Sequence, residues 1–237
     1  MIRRMLIWLL ALTMLFSMPA CLAEDEDFSG DEDFGFEDEE EFEEEEDEVD
    51  FRNIAGYPMK DQTIQSGDFV YLLNAEDGTA SICGYTGTET DVTIPGALDE
   101  HPVVSIENNA FYFSGIESVT MPETMRTLGT MAFSQCASLK KVTLNEGLTQ
   151  IGDCCFGGDA LLAEISMPES LETIGRAAFA ACPLLEEVDF GPKLEAIGDQ
   201  AFYGCAGLVK VSIPESTQFN DTVFEGCAPE LEIIRET

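Results

Sequence analysis

Phenylalanine recurs at Phe111, Phe133, Phe156, Phe179, Phe202 and Phe224, at intervals of 22 or 23 residues. Each follows a small or short residue: Ala110, Ala132, Cys155, Ala178, Ala201 or Val223. A second comb runs in phase, because Val119, Val142, Ile165, Val188 and Val211 each begin a short apolar-polar-apolar run. A third is Leu128-Gly129, Ile151-Gly152, Ile174-Gly175 and Ile197-Gly198. Three registers with one period mean that each repeat is a single supersecondary unit unable to bury its own apolar face. Neighbours must stack to build a continuous core.

In the unit from Leu139, apolar residues fall at Leu139, Val142, Leu144, Leu148, Ile151 and Phe156. This pattern predicts one buried strand followed by a return segment. One strand per repeat, always in the same direction, makes a parallel sheet. Strands starting at Val92, Val119, Val142, Ile165, Val188, Val211 and near Glu232 would form a curved ribbon about 30 Å long at the usual strand spacing. Pro95, Pro122, Pro168 and Pro214 close four of them, since proline cannot donate to the ladder and is tolerated at a strand end.

The runs Val211-Ser212-Ile213-Pro214, Ile197-Gly198 and Ala201-Phe202-Tyr203-Gly204-Cys205 resemble the BspA-like leucine-rich repeats of bacterial and protist surface proteins. Asp77-Gly78-Thr79-Ala80, Gly84-Tyr85-Thr86-Gly87, Val92-Thr93-Ile94-Pro95 and His101-Pro102-Val103 resemble the usual start of such arrays. The likeness covers roughly residues 67–234, and the period fits the leucine-rich-repeat window. It implies a mostly β leucine-rich-repeat solenoid, with one short parallel strand per 22–23-residue repeat and an N-terminal β-rich cap. It also implies a role in adhesion or recognition, without a transferable active site. Asp159 departs from the pattern by standing where Cys136, Cys182 and Cys205 predict cysteine. The expected division is a signal peptide at 1–23, an acidic disordered tract at 24–50, a linker at 51–66, the cap and first strand at 67–105, and the array at 106–237.

Arg3 and Arg4 precede an apolar run from Met5 to Phe16, too short for a membrane span, and Cys21-Leu22-Ala23 supplies small residues for cleavage before Glu24. Export to the surface or the medium is expected. Lipid attachment at Cys21 is the alternative, although Met18 and Pro19 fit a lipobox poorly. From Glu24 to Asp50, 19 of 27 residues are acidic and none is basic. Such a segment cannot bury enough apolar surface to offset chain entropy. Residues 51–237 still carry 28 acids against 9 bases, a charge of −19. That balance opposes nucleic acid, whose phosphates would be repelled, and direct binding to an anionic membrane.

Phe28, Phe34, Phe36, Phe42 and Phe51 interrupt or border the tract, which reads either as a solvating spacer or as a docking segment for a basic, partly apolar partner. Asp25, Asp27, Ser29 and Gly30 begin like a calcium loop, but the twelfth position is Phe36 rather than glutamate. Cys136, Cys182, Cys205 and Cys227 share one register, so they are expected as a column of packed thiols, interrupted by Asp159. Seven cysteines remain after cleavage at Ala23, an odd number that cannot all pair within one chain. With His101 as the sole histidine and no C-x-x-C pair, neither a zinc site nor another cofactor is expected. A Cys or Ser nucleophile would have only His101 as a candidate imidazole base, and no catalytic or phosphate-binding motif is present. No catalytic residue is assigned.

If Val142 and Leu144 point inward, strand alternation sends Lys141, Thr143 and Asn145 to the exposed face. Repeated, that register gives a central column of Thr120, Thr143, Ser166, Asp189 and Ser212, flanked by Ser118, Lys141, Glu164, Glu187 and Lys210. These are the candidate binding residues. The expected partner is a host or bacterial surface protein. A glycan is the alternative, weakened by the lack of an exposed aromatic row. The competing reading is a surface spacer or coat, because threonine and serine also simply suit an exposed ladder.

Overall fold

A computed structural model describes residues 63–236; the expected signal peptide, Cys21, the acidic tract and residues 51–62 lie outside the described residues. The chain winds as a β-solenoid whose repeats each contribute to two strand faces and a turn.

The first face follows from the valine comb. Val92, Val119, Val142, Val188 and Val211 are buried between flanking residues that mostly face outward. They centre β4 (Asp91–Thr93), β7 (Ser118–Thr120), β9 (Lys141–Thr143), β13 (Glu187–Asp189) and β15 (Lys210–Pro214). Between β9 and β13 lies β11 (Glu164–Ser166), and the last strand is β16 (Glu232–Glu236). All pair in parallel, with Val92, Val119, Val142 and Ile165 in register and Val211 matched to Val188 and Ile233. The expected single ribbon is instead two sheets. One has the order β11-β9-β7-β4 and the other β13-β15-β16, with the ladder interrupted between β11 and β13. The break falls beside Ile165, which is only half-buried, whereas the five valines of this register are buried.

The return segment carries a strand of its own, so the repeat has two short strands rather than one. β8 (Thr127–Leu128), β10 (Gln150–Ile151), β12 (Thr173–Ile174) and β14 (Ala196–Ile197) pair in parallel, with the second residue of each pointing into the core. Glycine follows each because the coils approach closely. A Cβ on Gly152 would lie 2.7 Å from the Gly129 carbonyl carbon, and one on Gly198 2.5 Å from the Arg176 amide nitrogen.

At the N-terminal end, β1 (Ile64–Ser66), β2 (Phe69–Leu73) and β3 (Ala80–Tyr85) form an antiparallel cap. Its first strand lies inside the stretch expected as linker. β3 joins β6 (His101–Ile106) in parallel, and β6 passes the sheet on to β8. β5 (Ala97–Leu98) turns back onto β6 through Asp99 and Glu100, both at positive φ. His101 sits in this cap, its Nδ1 hydrogen-bonding the Gly78 carbonyl at 2.9 Å.

The turns hold the core. Phe111, Phe133, Phe156, Phe179, Phe202 and Phe224 form one stack with ring centroids 4.9–5.6 Å apart, and Tyr85 of the cap extends it at 5.7 Å from Phe111. The N–H of each phenylalanine from Phe111 to Phe202 donates to the carbonyl of the residue preceding the next one, from Ala132 to Val223. The aromatic stack and the turn ladder thus share one repeat spacing. The cysteine column runs alongside: the thiols of Cys136, Cys182, Cys205 and Cys227 donate to the carbonyls of Phe111, Phe156, Phe179 and Phe202 at 3.1–3.2 Å.

Candidate functional site

The face built by β4, β7, β9, β11, β13 and β15 brings the candidate residues into register. Thr120, Thr143, Ser166 and Asp189 are exposed and follow one another across successive strands, with the first three joined by the ladder. Asn145, expected on the exposed face, is buried instead, its side-chain amide donating to the Met125 carbonyl at 3.2 Å, and Ser212 does not belong to the exposed set either. Ser212 is buried, because β15 and β16 pair over five residues, placing Ile234 beside it on one side. On the other side the Asp189 carboxylate accepts the Ser212 hydroxyl at 2.7 Å. The shortness of the β-run in the sequence gave no sign of this longer terminal pairing.

The flanking column is charged and largely self-paired. Lys141 Nζ lies 2.7 Å from Glu164 Oε2, and Lys210 Nζ lies 3.8 Å from Glu187 Oε2. One residue earlier in the repeat, Lys140 and Glu117 pair at 2.7 Å, while the Ser118 hydroxyl donates to Asp91 at 2.6 Å. Lys141, Glu164 and Glu187 are exposed and Lys210 is half-buried. Such surface pairs contribute little to stability. Their consequence is spatial: two lysines of the strand face are held against neighbouring carboxylates.

Two apolar side chains escaped the sequence reading. Leu161 and Leu184 are 40% and 46% exposed, in the turns leading into β11 and β13. The same register holds Gly115, Ser138 and Gly207 in other repeats, and that contrast was the available signal. The carboxyl group most altered by its surroundings lies beneath the surface. Asp159 is fully buried, and burial pushes its carboxyl up to about 9 against the opposing hydrogen bond from the Cys136 backbone.

The repeats match the family model for the BspA type leucine-rich repeat region in six copies over residues 104–230. Among solved structures, the chain is similar to a T. pallidum leucine-rich repeat protein, with 30% identity, a TM-score of 0.67 and coverage of 73% of this chain and 81% of that one. A leucine-rich repeat protein from Bacteroides ovatus shows 29% identity and a TM-score of 0.59 over 65% of this chain and 42% of its own. The pneumococcal vaccine antigen PcpA shares the fold, with 24% identity and a TM-score of 0.59 over 70% of this chain and 47% of its own. No curated protein matches the chain. The three sequence combs, the two strand faces and the six matched repeats together place it: the chain belongs to the BspA-type leucine-rich repeat family.

Proposed function

We propose that the chain is an exported recognition scaffold that binds a surface protein on the exposed strand face. The observation that carries this reading is the row Thr120, Thr143, Ser166 and Asp189, four exposed positions in one register above a rigid stacked core. A solenoid presents such a row as an extended surface, which suits a protein partner better than a small ligand. The cationic start and apolar run at Met5–Phe16 support export, and family membership supports a scaffold without chemistry of its own.

The test is capture of host and bacterial surface material by the full chain, with identification of the bound protein and repetition on the variant Thr143→Lys, Ser166→Lys, Asp189→Lys. Loss of the identified partner from a folded variant supports recognition through this face. Unchanged binding would favour a partner site elsewhere, and lack of any reproducible partner would favour a spacer or coat.

A further inference from the structure

In the loops that lead from the strand face to the return strands, side chains bridge successive coils. Across loops 145–149 and 168–172, Glu146 accepts the Glu169 N–H at 3.2 Å, and the Ser170 hydroxyl joins the Gly147 N–H at 2.8 Å to the Leu148 carbonyl at 2.7 Å. The next loop cannot repeat this. Pro192 has no N–H for Glu169 and no carboxylate for Glu215, whose N–H goes instead to the Glu236 carbonyl at 2.8 Å. Lys193 stands where Ser170 does and has no acceptor atom. At this interruption, where the chain enters β12 and β14, lies an open pocket of about 530 Å³. It is lined by Glu172, Pro192, Lys193, Glu195, Ser216 and Gln218 over the buried Leu194, and its volume is in the range of small-molecule sites.

The fold leaves the polar groups of this pocket available. Glu172, Glu195 and Gln218 occupy successive rungs of one ladder, with the Glu195 N–H donating to the Glu172 carbonyl and the Gln218 N–H to the Glu195 carbonyl, both at 2.8 Å. Two carboxylates on neighbouring rungs repel, which costs stability. Neither forms an ion pair among the described residues, nor does Lys193, whereas Lys140, Lys141 and Lys210 are all paired. The Leu194 carbonyl is taken by the Thr217 hydroxyl at 2.7 Å rather than by Ser216. The Gln218 amide donates to the Ser216 carbonyl at 3.0 Å and keeps its own oxygen as an acceptor.

We infer that this pocket is a saccharide site that takes an amino sugar with a free amine. The ammonium meets Glu172 and Glu195 and relieves their repulsion. Sugar hydroxyls both donate and accept, so they serve the Gln218 oxygen, the Ser216 hydroxyl and the Lys193 ammonium together, while the C–H face of the ring lies on Pro192. An arginine side chain of a peptide fits less well: its guanidinium has five donors and no acceptor, so it would satisfy the carboxylates and oppose Lys193. The acidic balance of residues 51–237 attracts an aminated sugar and repels an acidic one. This site is separate from the exposed row of Thr120, Thr143, Ser166 and Asp189, and its ligand is independent of any partner bound there.

The test is titration of the full chain, at physiological ionic strength, with the disaccharide of glucosamine, its N-acetylated form and a linear diamine of the same charge. The free-amine sugar should bind, and both the acetylated sugar and the hydroxyl-free diamine should bind at least about tenfold more weakly. Glu172→Gln with Glu195→Gln keeps side-chain size and should weaken binding of the amino sugar about tenfold. Lys193→Met should weaken it about threefold. Glu76→Gln with Glu89→Gln removes the same charge from exposed positions of the cap and should change affinity by no more than about twofold. Amide exchange at 193–195 and 216–218 should slow on binding. The Glu172→Gln, Glu195→Gln protein should unfold no more easily than the parent, because it loses only a like-charge contact. Equal affinity of the two double variants, full replacement of the sugar by the diamine, or protection confined to residues 24–50 would show attraction to an acidic chain without a site and would overturn the inference. Absence of binding by the amino sugar, or destabilisation of the Glu172→Gln, Glu195→Gln protein, would overturn it as well.

Discussion

Asp159 accepts the backbone N–H of Cys136 at 2.7 Å through one carboxyl oxygen, and its other oxygen is buried without a hydrogen-bond partner. At this register Cys182, Cys205 and Cys227 give their thiols to phenylalanine carbonyls, so a carboxyl group here is a local exception within a repeated pattern. Cys136, Cys155 and Cys182 are the titratable groups that sense it, and all three thiols are pushed up chiefly by burial.

The first prediction concerns pH. Burial raises the folded-state carboxyl of Asp159 from its ordinary value of 3.8 to about 9. A raised carboxyl stabilises the fold fully below the unfolded value, and its contribution declines as pH rises from near 4 towards 9, by up to about 1.4 kcal/mol per pH unit. Asp159→Asn keeps an acceptor oxygen for Cys136 and removes the titration. Denaturant unfolding of both proteins between pH 4 and 9 should show the variant gaining on the parent as pH rises. Parallel stability curves would refute a buried neutral carboxyl.

A second prediction separates glycines that the solenoid needs from one that it does not. Gly152→Ala places a methyl 2.7 Å from the backbone of the preceding coil, where no flexible side chain can yield. The cost should be about 1–3 kcal/mol, as for other overpacked sites. Gly115→Ala meets open space. It should be neutral, or stabilising by about 0.4–1 kcal/mol through the unfolded chain. Chemical denaturation of the two variants distinguishes them, and equal effects would contradict the close-approach account.

The phenylalanine and valine combs made the stacking direction and inward residues legible, because a fixed period places chemically similar side chains in the same column. The return strands were less legible. A two-residue strand such as Thr173–Ile174 is too short to display alternation, and its ladder is visible only once neighbouring coils lie beside it. The break beside Ile165 and the burial of Ser212 likewise depend on neighbouring repeats, not on either residue type. The turn conformations were hidden for a different reason. Met131, Ala177 and Gln200 all adopt positive φ two residues before a core phenylalanine, yet none is the glycine that usually marks such a backbone.

A third prediction concerns the thiols. Cys83, Cys136, Cys155, Cys182, Cys205 and Cys227 are free, and all but Cys227 are buried. Burial pushes Cys205 up to about 12 and Cys227 up to about 11. Since the thiolate is the reactive species, a thiol reagent at neutral pH should label the native protein slowly, beginning at the more accessible Cys227. Denaturation should release all six. Peptide mapping that finds disulfides linking Cys136, Cys182 and Cys205 would reject the packed-thiol column.

The last prediction sets the core against the exposed face. Phe179 is fully buried, with Phe156 on one side at 5.2 Å and Phe202 on the other at 5.1 Å. Phe179→Ala should cost about 3–5 kcal/mol through loss of the aromatic and the cavity left behind. The damage should spread to both neighbouring repeats, because each coil is stabilised by its interfaces. Thr143→Lys and Ser166→Lys lie on the outer face and should each change stability by no more than about 0.5 kcal/mol. Asp189→Lys should cost about 1 kcal/mol more than either, since it removes the acceptor for the buried Ser212 hydroxyl. Unfolding curves with amide exchange across the array check this ordering: strong destabilisation by Thr143→Lys would show that the strand face is structural, and a mild Phe179→Ala would show that the aromatic stack does not hold the coils together.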